Sequence, residues 1–426
     1  MSLRQQWRDF VCDPKRAGRH LANTGRSVTP SEAPPILDAV LQDFLRKLGG
    51  GEADVSLLAS LIDLSVGGYQ EFCSRLLPPL LDSLANERAG ENTVVGPAMR
   101  GAVQWDQTLI GRESGRLLPT QFVSRLPVRS FALPENLLVR WLVESLVRTV
   151  SFVERRLGSR ALPPQFAAMR DGCGEALQHE WFRQVPPPAM LEPHMRLAAG
   201  RNRLPGYRAA AALAVRRERY QSRDRLVRWQ HSLDLLAANW LEPISPDDLL
   251  ELYALVLVLD VLESDLKLCD PKQYGLAAAG RDYVVRFESG ETTVRVFFDQ
   301  SPHATLGYPS YQLAILAAHE GMRGVSRRPD VVVVRDGAED RRVCFVEVKK
   351  TADSSYISDS VYKALGYISD YRAIWGGAPS NPKVVLLFPE DIAPKPGMDF
   401  SSHEVVMASS MDRATLSSAL RAALGL

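Results

Sequence analysis

The stretch Arg328–Lys350, RPDVVVVRDGAEDRRVCFVEVKK, decides how the rest of the chain is read. An apolar run, Val331–Val334, follows a Pro-Asp pair. A polar segment opening with Asp336-Gly337 separates it from a second apolar run, Val343–Val348. Two β-branched runs on either side of a Gly-bearing turn predict two strands joined by a tight connection. Side chains alternate across a strand. Phe345, Glu347 and Lys349 therefore fall on one face, and Cys344, Val346 and Val348 on the other. An acid and an amine thus stand side by side at the end of an otherwise apolar strand. Asp330 opens the neighbouring strand, from which its carboxylate can reach the same end of the sheet.

That arrangement has chemistry in it. Two carboxylates a few ångströms apart repel, a divalent cation relieves the repulsion, and all-oxygen ligation suits magnesium or manganese. Such an ion acidifies a bound water and takes up charge on a phosphoryl oxygen. A lysine beside it can orient the water or steady the charge that develops on phosphorus. A structural reading competes, because Pro-Asp is a common turn pair and Glu-x-Lys is common on solvated strand faces. The order of elements favours the chemical reading. A helix is predicted over 310–322, then the two strands, a helix over 356–375 and a strand over 383–388.

Asp followed by Glu-x-Lys at the end of the next strand, here Pro329-Asp330 and Glu347-Val348-Lys349, resembles the signature of the PD-(D/E)xK nucleases. The resemblance implies an α/β restriction-endonuclease-like C-terminal domain, a mixed sheet flanked by helices. It implies Asp330 and Glu347 as metal ligands, joined by the backbone carbonyl of Val348, with Lys349 as the catalytic lysine and magnesium, or manganese, as the cofactor. Many such nucleases also carry an acid on the helix before the site. Glu320, late in the predicted 310–322 helix, is the candidate, against the plainer reading of a surface Glu. On the helix after the site Lys363 and Tyr367 stand four apart and share a face. The RecB-like branch has Gln-x-x-x-Tyr there, touching the active site and nucleic acid; here Lys replaces the Gln. Lys350 points away from Lys349 and is not expected to act in catalysis.

Three further segments resemble prokaryotic McrC-like proteins: Gly101-x-Val103-x-Trp105-x-x-Thr108, Pro134-Glu135-Asn136, and Asp247-Asp248-Leu249-Leu250-Glu251-Leu252-Tyr253. Each also has a structural reading. Trp105 can plug a core, Pro134 suits the first turn of a helix, and Ser245 caps a helix with acids in its first turn. The McrC-like resemblance implies a restriction or anti-phage effector that works with an AAA+ NTPase. No G-x-x-x-x-G-K-[ST] occurs in the chain, so that motor is expected to be encoded separately.

The remaining features bound the answer. The 426 residues suggest two or three domains, and 46% hydrophobic content supports real cores. The expected division is 1–150, mostly helical with a small β element; 151–275, a helical scaffold; and 276–426, the nuclease domain. Helices are expected from Ser31 through Leu48, over 54–66 and over 70–86. A net charge of +1 gives no global pull toward polyanions, so any nucleic-acid surface is local. Residues 201–228 hold nine Arg against Glu218 and Asp224. A long helix over 209–229 is expected to carry them. Arg216, Arg217 and Arg223, with Tyr207 and Tyr220 interleaved, can follow a phosphate backbone; a solvated face or a protein-docking surface is the alternative. Five scattered Cys and seven His form no ligand cluster, which argues against zinc and disulfides and for a reducing cytoplasm. No signal-peptide core and no membrane-spanning run is expected.

The function expected from sequence is magnesium-dependent hydrolysis of DNA phosphodiesters. Two other readings stand beside it: a catalytically silent DNA-binding or adaptor subunit of a defence complex, and an RNase effector. A homodimer would place two sites for two-strand cleavage.

Overall fold

The structure is a computed structural model that describes residues 2–13, 16, 28–32, 38–48, 52–157, 162–220, 224–243, 245–268, 272–274, 283–322, 324, 326–338, 340–376, 381–389 and 392–426. The chain forms two compact units. One comprises Met1–Val66, Phe152–Pro164 and Trp229–Leu426, the other Gly67–Ser151 and Gln165–Arg228. Contacts thus do not follow the linear three-part division expected from sequence. Early helical segments and the helix Pro246–Asp260 belong with the C-terminal sheet, because their apolar residues are buried against that part of the chain.

The first unit is organised around a seven-stranded mixed sheet. Its order is Val405–Ser409, Val384–Phe388, Arg341–Val348, Val331–Asp336, Thr292–Phe298, Val285–Ser289 and Lys272–Tyr274. The first three strands run parallel, and from Arg341–Val348 onward each neighbour is antiparallel. Short polar turns at Ser289-Gly290 and after Asp336 produce the hairpins. The parallel pair needs a crossover, which the helix Ser354–Asp370 supplies. Strands buried on both faces need unbroken apolar runs, and Val331–Val334 and Val384–Phe388 are buried throughout.

On one sheet face Val332, Val334, Val343 and Phe345 pack against Ala364, Tyr367, Tyr371, Ile374 and Trp375 of the crossover segment. Phe345 meets Tyr367, Tyr371 and Trp375 edge-on at centroid distances of 6.1, 6.1 and 5.2 Å. The Trp375 indole N–H donates to the Val343 carbonyl at 2.9 Å. The other face is covered by the helices Arg413–Leu424 and Pro246–Asp260. Ser245 caps the latter by accepting from Asp247 N–H, as its sequence predicts. Arg413 joins these two helices through a two-pronged pair to Asp265 at 2.8 and 2.9 Å and a further pair to Asp260.

In the second unit Glu87–Val95, Phe122–Ser130 and Ala102–Val103 form a three-stranded antiparallel sheet beside the helix Trp105–Glu113. The small β element expected within residues 1–150 is this sheet, with Phe122–Ser130 as its central strand. Trp105 is 51% exposed, and Val94, Met99, Leu109, Ile110 and Leu118 are exposed with it. A core plug is thereby excluded for Trp105.

Four helix expectations are corrected. Val28–Glu32 is not a helix start but pairs antiparallel with Asn239–Pro243. Helix resumes at Asp38 after the consecutive Pro34-Pro35, which lack the amide donors a helix interior needs. The segment expected over 70–86 passes through a π-turn at Phe72–Leu76 and ends at Asp82. The 310–322 helix stops at Ala317. The long Arg-rich helix is two helices, Pro205–Tyr220 and Arg225–Ala238.

Candidate functional site

The two strands of the opening stretch pair with Val346 opposite Val331 and Phe345 opposite Val332. Pro329 has no N–H to continue the ladder. There the Asp330 side chain takes over, its Oδ2 accepting from Val348 N–H at 2.7 Å. This bond fixes the Asp330 carboxylate at the end of the strand that carries Glu347 and Lys349.

Glu347 is 2% exposed and Lys349 3%. Both lie on the face that Phe345 presents to the crossover helix. The Lys349 ammonium donates to Glu347 Oε1 at 3.1 Å. Lys363, from the crossover helix, donates to the same oxygen. Glu347 Oε2 is buried with no hydrogen-bond partner. A buried carboxylate oxygen left without a donor costs about 1–3 kcal/mol.

Asp330 is the more strained acid. Burial, then the Glu347 carboxylate, then the Glu251 carboxylate push its pKa well above the ordinary range, against the pull of Val348 N–H and Lys363. Glu251 lies one turn into the helix Pro246–Asp260, half-buried among leucines. It is the functional candidate that sequence reasoning missed. Glu320, the acid expected in that role, stands exposed in a turn beyond the end of its helix. Glu251 replaces it as the third acid whose charge reaches Asp330.

Lys363 and Tyr367 share a face, as their spacing predicts. The ammonium of Lys363 stands 5.6 Å from the Tyr367 ring centre. Burial alone would lower the Lys363 pKa, but Glu347, and behind it Asp330, raise it. Burial, then Glu347 and Asp330, push the Tyr367 phenol far up, so it stays protonated and donates to the Arg328 carbonyl at 3.1 Å. Tyr371 donates to the Arg327 carbonyl at 2.9 Å. These two bonds clamp the segment that delivers Asp330. The Arg327 guanidinium lies against Gly366, where a Cβ would come within 2.7 Å of Nη1, and its Nε donates to Gln312 Oε1 at 2.8 Å. Arg327 is a second cation at this helix face that sequence reasoning did not single out. Lys350 points away, as expected, and pairs with Asp247.

The Arg-rich segment behaves differently. Arg217 is 3% exposed, with Nε donating to Ser145 Oγ at 3.0 Å and Nη2 donating to Thr149. Tyr207 is buried, accepts from Ala85 N–H at 2.9 Å and donates to Asn136. Arg217 and Tyr207 are therefore interior groups of the second unit and are withdrawn as nucleic-acid contacts. Arg216 is half-buried, and Arg223 lies outside the described residues. A cavity of about 570 Å³ in the same unit, lined by Cys73, Leu77, Met169, Glu175 and His179 among others, includes none of the candidate site residues.

Asp330 and Glu347 offer carboxylate oxygens, the donor type a hard divalent ion takes, and one of these oxygens, Glu347 Oε2, is buried without a hydrogen-bond partner. Among the described residues no group of three or more His, Cys, Asp and Glu side chains is gathered closely enough to hold an ion as it stands. Among the described residues no helix is long and apolar enough to cross a membrane.

No family model matches the chain, and no curated protein does. Among solved structures the chain is similar to one described as a half-complex of Thermococcus gammatolerans McrB AAA+ hexamers with bound McrC. The identity is 13% over 92% of this chain and 68% of that one, at a TM-score of 0.22.

Proposed function

We propose that the chain is a metal-dependent endonuclease of the PD-(D/E)xK type, with a restriction-endonuclease-like α/β domain, that hydrolyses DNA as the effector of a prokaryotic restriction or anti-phage system. The observation that carries this reading is the electrostatic imbalance at the end of strand Arg341–Val348. Burial and the Glu347 and Glu251 carboxylates oppose the charge of Asp330, and a buried oxygen of Glu347 has no donor. Folding does not benefit from such an arrangement, whereas a bound cation resolves it.

In this reading Asp330 and Glu347 hold magnesium or manganese with the Val348 carbonyl, and Glu251 takes the place first given to Glu320. The ion supplies acidification of a water and neutralisation of phosphoryl charge. Lys349, buried against Glu347, holds its ammonium where it can orient the attacking water and steady negative charge on the phosphate. Val348 N–H keeps Asp330 from rotating away. Arg327 and Lys363 offer cations to neighbouring backbone phosphates. A separately encoded AAA+ NTPase is the proposed partner. The exposed Trp105, Leu109 and Ile110 offer an apolar surface of the kind that protein partners cover.

One observation favours a catalytically silent adaptor instead: both lysines already satisfy Glu347 Oε1. One experiment separates the two. The purified chain is incubated with magnesium or manganese and with plasmid, single-stranded DNA or RNA. Metal-dependent cutting of DNA that Asp330→Ala abolishes, with binding retained, supports the nuclease. Binding without cutting under every condition leaves the adaptor, and cutting of RNA alone moves the substrate to RNA.

A further inference from the structure

Two ammonium groups meet one oxygen of Glu347, and they differ in their freedom to leave. The Lys349 side chain is 4% exposed, whereas the Lys363 side chain is 48% exposed. Lys363 reaches Glu347 from the surface of the crossover helix, with the Tyr367 ring beneath its path. Its tip is therefore the one positive charge at Glu347 that can be exchanged. A metal ion at Glu347 and the Lys363 ammonium compete for the same negative charge. A backbone phosphate arriving at this face competes with Glu347 for the same ammonium.

We propose that Lys363 is a resident counter-cation that keeps Glu347 neutralised in the resting protein and releases it when a nucleic-acid phosphate draws the ammonium outward, so that metal binding is coupled to substrate binding. This rests on the nuclease reading above and adds to it a link between metal and substrate. Lys363 is a positioning residue here, acting on the metal through Glu347. The coupling is reciprocal: the factor by which phosphate raises metal affinity is the factor by which metal raises phosphate affinity. A unit charge a few ångströms from a divalent ion, in a setting between bulk water and a protein surface, changes affinity by about tenfold.

The test is manganese binding to the full chain, followed through the electron paramagnetic resonance signal of the free ion, in the absence of nucleic acid. Lys363→Met is expected to bind manganese about tenfold more tightly than the wild type. Lys363→Arg keeps the charge and is expected to stay near the wild type. In parallel, anisotropy of a labelled duplex with phosphorothioate linkages gives its affinity with and without manganese. The gain on adding metal should be several-fold smaller in Lys363→Met than in the wild type. Unchanged or weaker manganese binding in Lys363→Met, equal gains in both proteins, or tightening by Lys363→Arg as well would overturn the coupling while leaving the metal site standing. If no variant and no wild type binds manganese with or without the duplex, the nuclease reading falls together with the coupling.

Discussion

Asp330→Asn separates what the site costs from what it does. Asparagine keeps the shape of the side chain and can still accept from Val348 N–H, so the clamp at 2.7 Å survives. What it removes is a charge raised in energy by burial, by Glu347 and by Glu251. Each opposing carboxylate costs on the order of 1–3 kcal/mol at an effective dielectric near that of a protein surface. The Lys363 attraction and the Val348 bond offset part of this. A net stabilisation of about 1–3 kcal/mol is therefore expected for the substituted protein in chelator. The direction with pH follows from the raised pKa. An acid whose pKa rises on folding contributes fully below its unfolded value, and the contribution is lost as pH rises through the folded value. The advantage of Asn is thus near zero at about pH 4 and grows as pH rises toward neutrality.

Urea denaturation in chelator, at a series of pH values, measures this directly. In saturating magnesium the order should reverse or narrow, because the wild type gains binding free energy that the variant cannot. A variant less stable than the wild type at neutral pH without metal would refute the reasoning. It would mean that the Asp330 carboxylate is a structural acceptor and not a strained ligand. The companion Asp330→Ala leaves Val348 N–H without its acceptor and should recover less stability, by about 1–3 kcal/mol.

The other expectations are smaller in scope. Glu251→Gln should weaken manganese binding by about tenfold and raise chelator stability modestly, whereas Glu320→Gln should leave manganese binding unchanged; calorimetric titration of both checks the reassignment. Gly366→Ala puts a methyl 2.7 Å from Arg327 Nη1 and should push that guanidinium aside. Helix propensity predicts about 0.5–1 kcal/mol of added stability, and the lost cation predicts several-fold weaker duplex binding, so thermal melting and anisotropy should move in opposite senses. Arg217→Met should cost about 2–4 kcal/mol by removing donors to Ser145 and Thr149, with duplex affinity at fixed salt unchanged. A matching loss of duplex affinity in soluble, folded protein would restore Arg217 to the nucleic-acid surface.

What could be read from the chain before its structure was known was whatever a short period determines. Alternation along Val343–Lys349 is enough to put Glu347 and Lys349 on one face, and the structure joins them at 3.1 Å. Four-residue spacing is enough to put Lys363 beside Tyr367. The Arg-rich segment was misread because its composition was weighed before its period. Tyr207, Ala210, Ala211, Ala214 and Arg217 recur at steps of three and four, and that stripe is the buried side of the helix Pro205–Tyr220. An arginine that continues a stripe of alanines points inward, whatever the charge of its neighbours. The approach of Cys73 to Cys173, 3.5 Å between sulfurs, has no local trace at all, since it depends on how two helices pack.

Glu251 marks the boundary between these cases. Nothing in its neighbourhood connects it to Asp330, and the contact exists because the sheet end and the start of the helix Pro246–Asp260 fold together. Yet the helix itself carries a local sign. From Leu249 to Asp260 every residue but Glu251 is buried, and all of them except Glu251, Tyr253 and Asp260 are aliphatic. Asp260 has Arg413 as its partner, and the Tyr253 hydroxyl donates to the Ser410 carbonyl at 3.0 Å. The Glu251 carboxylate helps to raise the pKa of Asp330 and also that of Lys350.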